Sequence, residues 1–317
     1  MVDGSLDTRS HKKCSVLNIN YILLLLIIII EQHYDFVYYS RRLIQLSAMM
    51  TAQVDLNSTS LINTSDPKWQ ASPKFKPDKD DKWPYPPEKD GWVLAHNMIR
   101  NDITNFIQAV SSINDRYSSS TSLPSWSIVS IQKFWSHHYS VVTSHHYHED
   151  EIVTPFMKKR VILPDKLEAD HEIVIEKSNQ ISNYINQLTT DSNMSRVEEL
   201  LHALRSYKEI MFPHLLEEEM ISLPLLRSYF TPKEMRRAML KILIHAMTNK
   251  NESGALIHSM GIEYFRSTFM KQEGIPSFMW HLKFKSDYNY FIRNMQSHID
   301  ALNKGEPIIT EKATCLC

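Results

Sequence analysis

Residues 144–157 read SHHYHEDEIVTPFM and residues 212–226 read FPHLLEEEMISLPLL, and the two stretches share one spacing. His145, Glu149, Ile152 and Pro155 in the first are matched by His214, Glu218, Ile221 and Pro224 in the second. A histidine and a glutamate four residues apart project from the same face of an α-helix, about 6 Å from each other. Glu149 continues the apolar phase set by Val141 and Ile152, and Glu218 that set by Met211 and Ile221, so both carboxylates are expected in the core. An unpaired ionised carboxylate in such a place is strongly unfavourable or gives up its charge. No Lys or Arg shares these seams, so the pair demands a cation. The prolines, each ten residues past its histidine, are expected to end or kink the helix beyond the carboxylate.

Outward from these stretches the chain reads as four amphipathic helices. The first carries Trp92, His96, Ile99, Ile103, Phe106 and Val110 in steps of four and three, with Asp90 as its N-cap. The second begins near Pro124 and carries Phe134, His138, Val141, His145, Glu149, Ile152 and Phe156. The third opens at Asp165 with Glu168 at capping-box spacing and carries Leu167, His171, Val174, Ile181, Ile185 and Leu188. The fourth opens with Ser195 and Glu198, again at that spacing, and runs through Leu204, Tyr207, Met211, His214, Glu218, Ile221 and Leu225. Short links between such helices predict an all-α fold, an antiparallel up-down four-helix bundle over residues 91–230. Thr231-Pro232-Lys233-Glu234 opens a helical extension over 231–305, in which Met235, Met239, Ile242, Phe278, Trp280 and Leu282 are expected to be packing surface. A tail, 306–317, follows.

A single histidine on an apolar face is ordinarily a satisfied core residue. Here His96, His145, His171 and His214 fall one per helix, each in its seam. Each helical hairpin supplies one lone histidine and one His-x-x-x-Glu, which predicts two equivalent half-sites and a dinuclear centre with the glutamates available as bridges. Nitrogen and oxygen ligands suit iron or manganese, whereas a structural zinc site more often recruits cysteine. Cys14, Cys315 and Cys317 all lie at the termini. Iron is therefore expected. His138 lies two turns before His145, about 10 Å away, and is expected to act at most from outside the ligand set. His146 and His148 are expected to face solvent, and Asp150 and Glu151 to be surface charge.

The segments LAHNMIRNDI, SHHYHEDEIVTPFM, DHEIVIEK and FPHLLEEEMISLPLL together resemble the hemerythrin-like, or HHE cation-binding, family over about residues 88–230. The resemblance implies a four-helix bundle holding a non-haem di-iron centre, two irons per chain, that binds oxygen, senses oxygen or iron, or does redox chemistry. By position it implies His96, His145, Glu149, His171, His214 and Glu218 as metal ligands, and dioxygen or iron as the partner. One position departs. Oxygen-carrying members have a fifth histidine one turn along the third helix, where this chain has Ile175. That half-site is expected to lack one nitrogen, its place taken by water or by Glu168. Ferritin-like di-iron bundles place Glu before His three residues apart, the reverse of this order, and come second. Two function classes stand, a di-iron binding or sensing protein and a di-iron redox enzyme. The lack of a readable substrate pocket or cofactor motif favours the first.

The rest of the chain sets bounds. Of 317 residues 43% are apolar and 22% charged, with a net charge of −1, so nothing argues for a nucleic-acid partner. Only 6 glycines are present, which leans helical. Residues 1–65 read as an extension without globular pattern, and 66–90 as a proline-rich arm. Tyr21–Ile30 is an apolar run of ten, short of the roughly 20 residues a spanning helix needs. It fits a signal core, or an over-long gene model whose shorter start is Met49-Met50. A cytoplasmic protein is expected, with a membrane-associated or secretory one as the alternative.

Overall fold

The computed structural model describes residues 83–308 apart from 121, 192–193 and 247–248. The apolar run Tyr21–Ile30, the first part of the proline-rich arm and all three cysteines lie outside the described residues. Within them the chain is all-helical, without a strand, and no helix is long and apolar enough to cross a membrane.

Helix α1 spans Gly91–Tyr117, and Asp90 caps it as expected, its Oδ1 accepting from Trp92 N at 3.1 Å. Helix α2 spans Ser125–His148 behind Pro124, passes through a π-helical turn at Glu149–Val153 and ends as Thr154–Met157. Pro155 explains the widening. It offers no N–H to the carbonyl four residues back and its ring clashes there, which the wider turn relieves. Helix α3 spans Asp165–Asn186 and α4 spans Met194–Tyr229. Pro213 and Pro224 both lie inside α4, so Pro224 does not end its helix. Helix α1 packs on α2 and α4, and α3 packs on the same two, which closes a ring of contacts.

The capping box expected at Asp165 does not form. Pro164, in extended conformation, precedes α3 without a side-chain cap, and Asp165 is already helical. Glu168 turns outward to pair with Lys158. Both acids still favour this end, because negative charge suits the positive pole of a helix. At Thr231 the box does form: Glu234 N donates to Thr231 Oγ1 at 3.3 Å, and Thr231 N donates back to Glu234 Oε2 at 2.9 Å. It opens α5, Pro232–Ala246.

Helix α6 spans Lys250–Met260. Helix α7 runs as Ile262–Tyr264, a π turn at Phe265–Phe269, and Met270–Gln272. Helix α8 opens with a π turn at Trp280–Phe284, continues Lys285–Phe291, widens again at Ile292–Gln296 and ends Ser297–Lys304. Trp280 is buried, but Phe278 and Leu282 are 57% and 64% exposed, against the expectation that all three pack. Residues two apart on a helix point to roughly opposite sides, so a step of two cannot make one helical seam.

Two of the three apolar clusters among the described residues frame the ring of α1–α4. One gathers Ile99, Ile103, Phe106, Phe134, Val141, Ile181, Tyr207 and Met211, and is completed by Phe291, Ile299 and Leu302 of α8. The other gathers Val153, Met157, Leu223, Leu226, Phe230 and Met235 with Trp83 of the arm. Along α2 the changeover falls between Val142 and Val153, and along α4 between Leu215 and Leu223. The histidines and glutamates singled out above stand at that changeover, a polar layer between two dry ones.

Candidate metal centre

Each helix of the ring delivers its side chain because the apolar residues flanking it fix which face turns inward. On α1, Ile99 and Ile103 are fully or almost fully buried and carry His96 in with them, at 0% exposure. His145, Glu149, His171, His214 and Glu218 are buried as well. All six residues singled out from the sequence thus converge in the polar layer.

Their distances describe two halves joined by carboxylates. Glu149 Oε1 lies 3.2 Å from His145 Nε2 and 3.5 Å from His96 Nε2, while its Oε2 lies 3.5 Å from His171 Nε2. Glu218 Oε1 lies 3.1 Å from His171 Nε2 and 3.5 Å from His214 Nε2, while its Oε2 lies 3.5 Å from His96 Nε2. Each glutamate therefore addresses both halves with different oxygens. Ligand atoms of His96, His145, Glu149 and Glu218 all fall within 4.8 Å of one another, and so do those of His146, His171 and His214. Both groups could hold a metal ion.

His146 corrects the sequence reading, which sent it to solvent. It is buried and stands in the second group, with its ring 4.2 Å from that of His171. The signal was present. Trp135, Val142 and His146 form a second seam one residue after Phe134, Val141 and His145, and α2 buries it against α3 and α4, where Trp135 meets Ser182 and Tyr207 and His146 meets His171 and His214. Ile175 is half-buried and Glu168 is exposed, so neither supplies the nitrogen that the third helix lacks.

Two more residues sit behind the histidines. Asp150 Oδ1 accepts from His171 Nδ1 at 2.8 Å, and Glu219 Oε1 accepts from His96 Nδ1 at 2.9 Å while holding Arg100 at 2.7 Å. Asp150 is thus no ordinary surface charge. Trp92 Nε1 donates to Glu149 Oε1 at 2.6 Å. His148, also expected in solvent, is buried and shares a hydrogen bond with His245 at 2.7 Å. Glu151 is exposed, as expected.

Electrostatics divides the five histidines. Burial, with neighbouring imidazoles adding to it, pushes His145 and His146 well below the ordinary range, and takes His214 down to about 4. Burial opposes charge on His96 too, but Glu149, Glu219 and Glu218 outweigh it and raise His96 to about 9. His171 rises to about 11 against burial because Asp150, Glu218 and Glu149 surround it. Many of these atoms lack a hydrogen-bond partner: Nε2 of His96 and of His145, both ring nitrogens of His146 and of His214, and Oε2 of Glu149 and of Glu218. Buried polar atoms are nearly always paired, so such a concentration of orphans aimed at one another calls for an ion between them.

No curated protein and no solved structure matches the chain. The family model described as the hemerythrin HHE cation binding domain matches residues 90–251, a little over half of the chain. The chain belongs to the hemerythrin HHE cation-binding family.

Proposed function

We propose that this protein holds a non-haem di-iron centre in an antiparallel up-down four-helix bundle of α1–α4 and uses it to bind or sense oxygen or iron. One observation carries the reading: Glu149 and Glu218 each present one oxygen to one group of histidines and another oxygen, or a second contact, to the other. A carboxylate so placed would hold a cation on either side without moving. In this reading His96 and His145 would hold one metal, His146, His171 and His214 would hold the second, and Glu149 and Glu218 would serve both. The donor set fits, because imidazole and carboxylate suit iron and the orphaned atoms are the ones a metal would take. Bound iron supplies oxygen-binding or redox chemistry. The chain's own residues do the rest: Asp150 and Glu219 fix the tautomer and tilt of His171 and His96, and the two apolar clusters keep bulk water away.

The test is elemental analysis of the full chain expressed with ample iron. Two irons per chain are expected, with occupancy falling strongly in Glu149→Ala and Glu218→Ala. A single zinc and no iron would overturn the reading. Reversible oxygen-dependent absorbance of the loaded protein then marks binding or sensing, whereas turnover with peroxide release marks the alternative, a redox enzyme.

A further inference from the structure

Seven residues before His214 on α4, about 10 Å along the helix, stands Tyr207. Its side chain is 1% exposed, and its hydroxyl faces His138 Nε2 at 3.2 Å. On the far side of that ring, His138 Nδ1 lies 3.8 Å from Asp102 Oδ2, and the same oxygen lies 3.3 Å from His137 Nε2. Ser178 also lies beside the phenol; its own proton goes to the Val174 carbonyl at 2.8 Å, so its oxygen can only accept there, and as a far weaker base than imidazole it cannot keep a proton. Trp135 meets the Tyr207 ring edge-on, with centroids 5.8 Å apart. A buried Asp and two buried histidines are costly furniture for a core that a phenylalanine would fill equally well. Tyr207, His138 and Asp102 line up from α4 through α2 to α1, the first two in a hydrogen bond and the last two at ion-pair distance.

The protonation states suit a transfer. Burial raises the Tyr207 phenol above its ordinary value, so it keeps its proton. Burial lowers His138 despite Asp102, which leaves the imidazole neutral at rest; in the tautomer with its proton on Nδ1, towards Asp102, Nε2 accepts from Tyr207. Burial opposes charge on Asp102 as well, but His137 and His138 hold it down to about 2. A carboxylate therefore waits behind the imidazole.

Resting on the metal centre proposed above, we propose that Tyr207 is a redox-active residue that gives one electron to that centre and its hydroxyl proton to His138. The O–H bond of Tyr207 breaks as an N–H bond forms at His138 Nε2, leaving a neutral phenoxyl radical and an imidazolium beside Asp102. The oxidant is hydrogen peroxide acting at the metal centre. Peroxide takes two electrons and two protons to become two waters. One electron comes from Tyr207, the other from the metal pair, and both protons come from solvent, since that of Tyr207 stays on His138.

The experiment loads the full chain with ferrous iron in air, measures its metal content, mixes it with hydrogen peroxide and reads freeze-quenched samples by electron paramagnetic resonance. An organic radical with tyrosyl hyperfine structure is expected. It should vanish in Tyr207→Phe and survive in Tyr184→Phe, a tyrosine 36% exposed at the surface of α3. His138→Gln can accept the hydrogen bond but not the proton, and should slow radical formation by about 100-fold at unchanged metal content. A network that merely fastened three helices would alter melting and leave that rate alone. A radical that persists in Tyr207→Phe, an unchanged rate in His138→Gln, or no radical from a chain holding its two metals overturns this inference alone. A chain that holds no metal overturns it together with the function proposed above.

Discussion

His146 lies face to face with His171, ring centroids 4.2 Å apart and planes 7° from parallel, although the two come from different helices. In the proposed centre, the nitrogen that Ile175 denies to α3 would come from α2. Both ring nitrogens of His146 are without a hydrogen-bond partner, and burial keeps the ring neutral, as a donor must be.

His146→Ala should therefore cost the second metal specifically. Iron content is expected to fall towards one per chain at metal concentrations that saturate the unmodified protein. The loss of affinity should exceed the roughly 10–100-fold typical of residues that only orient a ligand. Stoichiometry by elemental analysis after desalting checks this, and two tightly held irons in the variant would remove His146 from the ligand set.

Asp150→Asn is expected to behave more mildly. The amide can still touch His171 Nδ1, at 2.8 Å in the parent, but no longer fixes its tautomer with a full charge. Metal affinity should drop by about 10–100-fold while stoichiometry at saturation is kept. Glu219→Gln, acting on His96, should resemble it. Titration against a competing chelator measures both, and an unchanged affinity in both would leave these carboxylates no role in the site.

These residues also mark where the sequence is legible. His145 with Glu149 and His214 with Glu218 can be read because a four-residue step and an apolar phase leave one face available to each pair. His146 is harder, since it stands one residue off the seam of His145 and is buried by His171 of α3 and His214 of α4, contacts that only the folded bundle makes. Asp150 is harder still. It lies in the π turn Glu149–Val153, where counting in steps of 3.6 fails. Tertiary covering and a change of helical pitch are both invisible to periodicity within one segment. The same holds at α3, where Pro164 displaced the expected cap.

Gly254 measures how closely α6 and α8 approach. A Cβ added there would meet the Phe291 Cβ at 2.5 Å and the Asp287 carbonyl oxygen at 2.6 Å. Alanine gains roughly 1 kcal/mol of helix propensity over glycine. The clash involves backbone, which cannot rotate away, and overpacking of this kind costs about 1–3 kcal/mol or more. Gly254→Ala should therefore be net destabilising, seen as a lower denaturant midpoint, and a rise in that midpoint would contradict the close approach.

Glu273 gives the stability a pH dependence. Burial first, and the Asp90 carboxylate after it, push the Glu273 carboxyl up to about 7 against the opposing pull of its Gln272 hydrogen bond and of Arg236. The folded state thus binds this proton more tightly than the unfolded chain does. Charging Glu273 costs the fold nothing below the unfolded value near 4.5. The cost grows as pH rises towards 7 and is complete above it. Glu273→Gln removes it. The variant should match the parent at the acid end of that window and exceed it by on the order of 1–2 kcal/mol at its alkaline end, allowing for the group's partial exposure. Urea unfolding of the metal-free protein across that range tests the shape, and a constant difference at all pH values would be the wrong one.

The widened turn Glu149–Val153 makes the length of this segment as constrained as its composition. A π turn carries one residue more than an α turn, so everything after it is rotated by about 100° from where an unbroken helix would put it. That offset works like a tooth on a gear. It lets α2 mesh with one apolar cluster through Val141 and Val142, and with another through Val153 and Met157. Loss of one residue from this turn would close it and swing Met157 out of register, with His145 and His146 left where they are. Exchange of side chains here should therefore disturb the fold less than insertion or deletion does, and the spacing from His145 to Met157 counts as much as the letters within it.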